Sequence, residues 1–440
     1  MTLRRVLSSA VLLSILFGSR AVSTETFRAG ETFDAVWKIV KDGHFDPAFD
    51  VGKWERLGVE LRPKAVEART PGEFRAVLAD MLGRLGLSHF AVIPSTPDTP
   101  GEFVDVSGQP GFDVRMIDRQ LVVSSVDPDG GAAAAGIHTG WIVQSIGATA
   151  VSEMLARITE STPPRLAQLQ AWRLAVPRLR GPSGSSVDIA FVDGDGATLT
   201  KSVERRREGG QPVTVGSLPT MYVRVSSSLK TTPGGGTAGV IGFNVWMTAI
   251  NLEFQKAIDR FRSADGVVID LRGNPGGLAA MIMGLAGYFM TEPATLGVMK
   301  TRDAEMKFPA NPRLVNGAGD RVQPYGGPVA ILVDGMTGSA SECFSGGLQS
   351  LGRARVFGQT SMGQALPALF DRLPNGDVLI HAWGDFVTGT GVRIEGRGVV
   401  PDEPVALSRA ELLAGRDATL EGALAWSDRA RKDGRNSRQR

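Results

Sequence analysis

Apolar positions recur at helical spacing early in the chain and in short unbroken runs later, and this change of period divides it. Phe33, Val36, Trp37 and Val40 fall three to four residues apart, as do Phe74, Val77, Leu78 and Met81. That is the period of helices with one buried face, and it predicts a small helical N-terminal domain over residues 24–93. Residues 94–108, rich in Pro, Ser, Thr, Asp and Gly, read as a linker. Between residues 109 and 206, strand-like runs at 121–126 and 140–146 are separated by glycine-containing turns, which predicts a β-rich domain. From 210 to 407, apolar runs at 240–243, 267–271 and 329–333 alternate with helical stretches at 252–261 and 278–289. This alternation predicts an α/β core. Residues 408–440 read as a C-terminal helix and basic tail, with 427–440 a solvated, disordered end.

Two of the apolar runs lead into turns that carry chemistry. After 329–333 comes a turn of small residues and then a helical segment beginning near Ala340, which places Ser341 at a helix start. Free backbone N–H groups there can stabilise a developing oxyanion, making Ser341 a candidate nucleophile. A helix-capping serine is the alternative. The run at 266–271 leads into Arg-Gly-Asn-Pro-Gly-Gly, ending at Gly277. Glycines let a backbone approach a ligand and aim N–H groups at it. The alternative is an ordinary turn with Asp270 and Arg272 mutually satisfied. The G-x-G-x-x-G dinucleotide spacing is missing.

Together these segments resemble the carboxyl-terminal-processing and tricorn-type serine peptidases. Asp270-Leu-Arg-Gly-Asn-Pro-Gly-Gly277 matches the family's D-L-R-x-N-x-G-G turn, and Ser339-Ala-Ser-Glu342 its S-A-S-E. Gly358-Gln-Thr-Ser-Met-Gly363 is similar to its G-E-x-T-x-G, with Thr360 one place early, and Glu395-Gly-Arg-Gly-Val-Val-Pro-Asp402 to its E-G-x-G-V-x-P-D. The resemblance implies a crotonase-like catalytic core with Ser341 as nucleophile and backbone donors from Gly276 or Gly277 and from Glu342. In the processing branch a lysine follows the third motif as general base; Gln364 stands there, and a neutral amide cannot accept the proton. The tricorn branch uses a Ser-His pair and a late glutamate. Here that implies His89 as base, with Ser88 and Glu395 orienting it. The chain has four histidines; of the others, His44 and His138 read as turn residues and His381 as part of a strand. A packed histidine is the alternative for His89.

The β-rich domain resembles a PDZ domain, with Gly111-Phe-Asp-Val114 in the place of the carboxylate-binding loop. Gly111, Phe112 and Val114 are then expected at a groove that takes a peptide's C-terminal end along a sheet edge.

Composition narrows the rest. A net charge of +2 over 440 residues gives no reason to expect a nucleic-acid partner. Arg4 and Arg5, the mostly apolar 6–17 and Ala21-Val-Ser23 read as a secretory signal over residues 1–23. Export to a periplasmic or extracellular site is expected, with no membrane segment after its removal. Cys343 is the only cysteine, so no internal disulfide forms. It reads as a packing residue, with a Cys nucleophile as the other option. H-E-x-x-H, C-x-x-C and Walker A motifs are absent, and no metal or cofactor is expected. Ser227-Ser-Leu-Lys230 matches S-x-x-K without the companion S-D-N and K-T-G motifs. The expected function is an exported serine endopeptidase acting on protein or peptide substrates. The alternative is a non-proteolytic peptide- or apolar-ligand-binding protein on the same fold.

Overall fold

The computed structural model describes residues 28–95, 106–215 and 220–438, with side chains through 432. The signal-like segment 1–23 and most of the linker 94–108 lie outside the described residues.

The helical period at the start of the chain produces three helices, Ala29–Gly43, Val51–Glu67 and Pro71–Gly83. Asp50 and Thr70 cap the second and third by accepting from Lys53 N and Glu73 N, which satisfies N–H groups that a helix start leaves unpaired. Phe33, Val36, Trp54, Leu61, Phe74 and Leu78 meet in their shared core. That core also takes in Leu366, Leu373 and Leu379 from far along the chain. The buried Asp377 receives Arg75 through two nitrogens at 2.9 and 2.7 Å. The helices therefore lack a closed core of their own and are built onto a hairpin, Ala368–Arg372 with Val378–Ala382. His44, expected in a turn, is buried and stacks on Phe49 at 4.1 Å between centroids.

The β-rich unit is a sheet of Phe112–Ile117, Gln120–Val126, Ile142–Ile146, Ser186–Val192 and Thr198–Glu204, all neighbours antiparallel. Helix Pro164–Leu179 packs on its edge strand, Phe112–Ile117.

The catalytic half is built on a sheet ordered Val225–Thr231, Thr237–Phe243, Gly266–Asp270, Val329–Val333, Arg355–Gly358 and Glu403–Pro404. Its first pair is antiparallel and the rest parallel. The central strands Gly266–Asp270 and Val329–Val333 are apolar almost throughout because both faces are covered. Helices Ile250–Arg260 and Ala340–Ser350 lie on one side, against Ile241, Val267 and Ile331. On the other side Ala423, Leu424 and Trp426 of helix Ala418–Arg438 cover Ala238, Val268, Leu332 and Phe357.

Two expectations change. The stretch 278–289 is helical only over Met281–Ala286, since Gly284 and Gly287 leave little to hold a longer helix. The tail expected to be disordered from 427 continues as helix to Arg438. Ser427 and Asp428 are buried, and Asp428 accepts from Thr232 Oγ1 and Gly234 N, each at 2.6 Å. No helix among the described residues is long and apolar enough to cross a membrane.

Candidate active site

Four adjacent parallel strands end on the same side of the sheet, and the chain leaving each contributes to one site. Phe243 leads to Trp246, Asp270 to the glycine turn, Val333 to Ser341, and Gly358 to the segment 361–365. The crevice beyond the carboxyl ends of parallel strands is where α/β sheets place their ligand sites.

Ser341 is the second residue of helix Ala340–Ser350 and is fully buried. The helix cap is Ser339, which forms a capping box with Glu342, so the capping role is already filled. Ser339 has φ +53°, a strained value for a residue with a side chain. The packing enforces it: a Cβ on Gly276 would stand 2.5 Å from the Ser339 Cβ, so only glycine allows the two turns this close.

The oxyanion donors expected from sequence separate here. Gly276 N donates to Asn274 Oδ1 at 2.9 Å, and Glu342 N to Ser339 O at 2.9 Å. Both are spent inside the protein in this conformation, so of the two glycines expected as alternatives it is Gly277 that remains. Among the described residues, Gly277 N has no protein acceptor. Ser341 Oγ itself accepts the indole N–H of Trp246 at 2.8 Å.

Ser88, His89 and Glu395 are brought together across 307 residues of chain. Strand Ala91–Ile93, which pairs with Val378–Ala382, carries the Ser-His pair to the site. The Ser88 hydroxyl donates to Glu395 Oε2 at 2.9 Å, and its oxygen lies 2.8 Å from His89 Nδ1. With its one proton given to the carboxylate, Ser88 can only accept from Nδ1–H. That assigns the tautomer and leaves Nε2 as the free base. Glu395 also accepts from Ser88 N and Ala365 N, each at 2.9 Å. His89 has φ +57°, a second strained residue at this place. No hydrogen bond joins His89 to Ser341 in this conformation; the Ser341 hydroxyl faces the indole instead.

Burial pushes the His89 pKa down from 6.5 to about 4. The ring is therefore neutral at pH 7, as a base must be. Between pH 6.5 and about 4 the unfolded chain binds a proton that the folded chain does not, so stability falls as pH is lowered through that window. If His89 is the base, the acid limb of kcat/KM should lie below 6.5, towards 4. A pH–rate profile with a limb above 7 would assign the base to another group.

Segment 361–365, which contains Gln364, is strung between two buried carboxylates. Glu342 accepts from Ser361 Oγ at 2.5 Å, Gly363 N at 2.6 Å, Gln364 N at 2.9 Å and Ser339 N at 3.1 Å. Burial pushes its carboxyl up to about 7, against four donors that all favour the ionised form. Ser339 N donates back to Gln364 O at 2.8 Å. Gln364 thus holds the nucleophile turn through its backbone, and its side chain makes no hydrogen bond among the described residues. Cys343 is buried, and burial pushes its thiol well up, which excludes a ready thiolate.

Trp246, Asn274 and Ser361 were not singled out from sequence. Asn274 sat inside a motif already quoted. A tryptophan three residues past a buried strand end was the available sign for Trp246.

Asp270 and Arg272 pair with each other at 2.6 Å, and Arg272 also reaches Asp417 at 2.8 Å, the mutually satisfied arrangement allowed from sequence. In the β-rich unit, Val114 is fully buried and Phe112 nearly so, edge-on to Phe191. Of the residues expected at a peptide groove, Gly111 and Phe112 line a cleft and Val114 does not. That cleft, of about 1440 Å³ between this unit and the catalytic half, includes Gly111, Asp113, Trp172 and Arg272 in its walls. It reaches Gly273 and Pro275 of the glycine turn but not Ser341.

A buried serine at a strained turn into a helix, close against a glycine turn, is compatible with the serine-hydrolase class. Residues 237–405 match Peptidase family S41, and residues 30–83 match the Tricorn protease C1 domain. Residues 237–405 thus form a Peptidase family S41 domain, and the chain's homologues are named carboxyl-terminal-processing protease and CtpA-like serine protease. The probable CtpA-like serine protease of Staphylococcus haemolyticus is 24% identical over 313 residues, covering 70% of this chain and 54% of that one. The carboxyl-terminal-processing protease of Synechocystis sp. is 26% identical over 255 residues, 57% of this chain and 55% of its own. The chain spans about half the length of these relatives. In fold it is similar to the photosystem II D1 C-terminal processing protease, with a TM-score of 0.56 at 20% identity over 89% of this chain and 98% of that chain.

Proposed function

We propose that this chain is an exported serine endopeptidase with a Ser–His site in place of a Ser–Lys pair, on a crotonase-like core. The observation that carries the reading is the Ser88–His89–Glu395 cluster, whose hydrogen bonds leave Nε2 unprotonated and which Glu395 ties to Ala365 N, next to the Gln364 that is bonded to the nucleophile turn. Ser341 Oγ bonds to the scissile carbonyl carbon as its proton passes to His89 Nε2, and the C=O π pair moves to oxygen. On collapse that pair returns, the C–N bond breaks, and His89 gives the proton to the leaving amine. Water then hydrolyses the acyl ester by the same route. No metal or cofactor takes part.

A serine-directed phosphonate tests this reading. It should label the protein once, at Ser341, with a rate that falls as His89 is protonated. Labelling elsewhere, or none together with retained peptide binding, would favour the non-proteolytic alternative.

The PDZ-like unit is proposed to take the substrate's C-terminal end along the edge strand Phe112–Ile117, beginning at Gly111. Peptides with a free C-terminus should bind more tightly than the same peptides amidated, since loop amides lose an anionic partner on amidation. Equal affinities would remove tail recognition and leave the serine–histidine site unaffected.

A further inference from the structure

We propose that Trp246 is a catalytic residue whose indole N–H donates to the oxyanion, exchanging the Ser341 hydroxyl for the substrate's carbonyl oxygen as the reaction begins. The proposal rests on the serine-peptidase reading above. Two of the backbone N–H groups expected to serve the oxyanion are already given to Asn274 and Ser339. Gly277 N remains, and a tetrahedral oxyanion gains from a second donor in a dry site. The indole N–H is the polar hydrogen that the structure aims at the nucleophile, 2.8 Å from Ser341 Oγ.

The indole is held as a preorganised donor must be. Trp246 is fully buried. Its ring meets Phe243 edge-on at 4.9 Å and Phe344 at 5.1 Å between centroids. Its backbone is bonded to the glycine turn on both sides, Trp246 N to Gly276 O at 2.9 Å and Leu278 N to Trp246 O at 2.8 Å. A Cβ on Gly277 would lie 2.4 Å from Trp246 O, so glycine permits the contact. The indole and the one remaining turn amide therefore belong to a single rigid unit.

Partner exchange follows from the chemistry. The Ser341 oxygen accepts from the indole, and its proton makes no bond to His89 in this conformation. When it turns to the base, the buried N–H is left without an acceptor, which costs about 1–3 kcal/mol. The developing oxyanion sits on the same carbon that Oγ attacks, one bond angle away, and accepts that N–H. The indole thus bonds more strongly to the charged transition state than to the neutral resting hydroxyl, the condition for catalysis.

Trp246→Phe keeps the ring and removes the N–H. Its kcat should fall about 10²–10³-fold with KM little changed, the loss expected for one oxyanion donor. An unchanged kcat would overturn the proposal, and a raised kcat would show that the indole only restrains Ser341. Should the variant fail to fold, the wild-type protein decides by the indole N–H resonance that shifts in Ser341→Ala. On reaction of Ser341 with the phosphonate, whose phosphonyl oxygen stands where the oxyanion forms, this resonance should move downfield. An unmoved or upfield-shifted signal would overturn the proposal. Absence of any Ser341 adduct in the wild-type protein would remove the peptidase reading, and the proposal with it, an outcome distinct from a labelled enzyme indifferent to Trp246.

Discussion

Peptide hydrolysis should fall by about 10⁴-fold or more in Ser341→Ala, and by a similar factor in His89→Ala, with the double variant no worse than either. The effects do not add because nucleophile and base act in one step. Gln364→Ala should stay within about threefold of the wild type, because only its backbone is engaged, through Gln364 N to Glu342 and Gln364 O from Ser339. Steady-state hydrolysis of one peptide by all four variants decides the matter. A loss in Gln364→Ala as deep as that in Ser341→Ala would give its side chain a primary role. Ser341→Ala also strands the buried indole N–H of Trp246 and should lower stability by about 1–3 kcal/mol.

The second large effect is expected at Asp334, remote from the chemistry in role though close in the fold. Asp334 accepts from Arg115 Nε and Nη2 at 3.0 Å, from Gly273 N at 2.9 Å and from Met336 N at 3.0 Å. It joins the PDZ-like unit, the glycine turn and the turn before the nucleophile. Burial raises its carboxyl, but Arg115 and these amides outweigh it and hold the pKa below 3.8. This stability is present above 3.8 and is lost as pH falls through the lower folded value. Asp334→Ala leaves Arg115 buried beside Asp113 alone and two amides unpaired, at a cost of about 3–5 kcal/mol. Amides of the glycine turn should lose hydrogen-exchange protection, and kcat should drop about 10²-fold as the turn moves. Unchanged exchange and kcat would mean that the turn holds its shape without this carboxylate.

The helical start, the β-rich middle and the α/β half were legible because each carries one hydrophobic period over many residues. Run 329–333 was read to the residue, being apolar at every position and bounded by turns. The readings that failed share a cause. Residues 427–438 look polar and basic as a string, yet Ser427 and Asp428 face the sheet from a helix whose apolar side is only a few residues wide. Of Gly111, Phe112 and Val114, expected at a groove from motif position, Gly111 and Phe112 line the cleft, whereas the pleat turns Val114 into the domain core.

At the site the division is similar. Ser341 could be named from its place at a helix start, and His89, Ser88 and Glu395 from the resemblance to tricorn-type peptidases. The clustering of Ser88, His89 and Glu395, and the tautomer it sets, came from the fold, because hydrogen bonds between residues 307 positions apart leave no periodic trace. Which group the nucleophile faces was likewise decided by a tertiary contact, since Trp246 reaches Ser341 across 95 residues, whereas Gly276 N is taken locally by Asn274 two residues before it. Sequence by itself determined the order of elements and the candidate nucleophile, since these rest on local period and residue chemistry, and it offered a candidate base through the resemblance of its motifs. Only the tertiary structure decided which group the nucleophile faces and which carboxylate orients the histidine pair, because those depend on close approach between segments far apart in the chain.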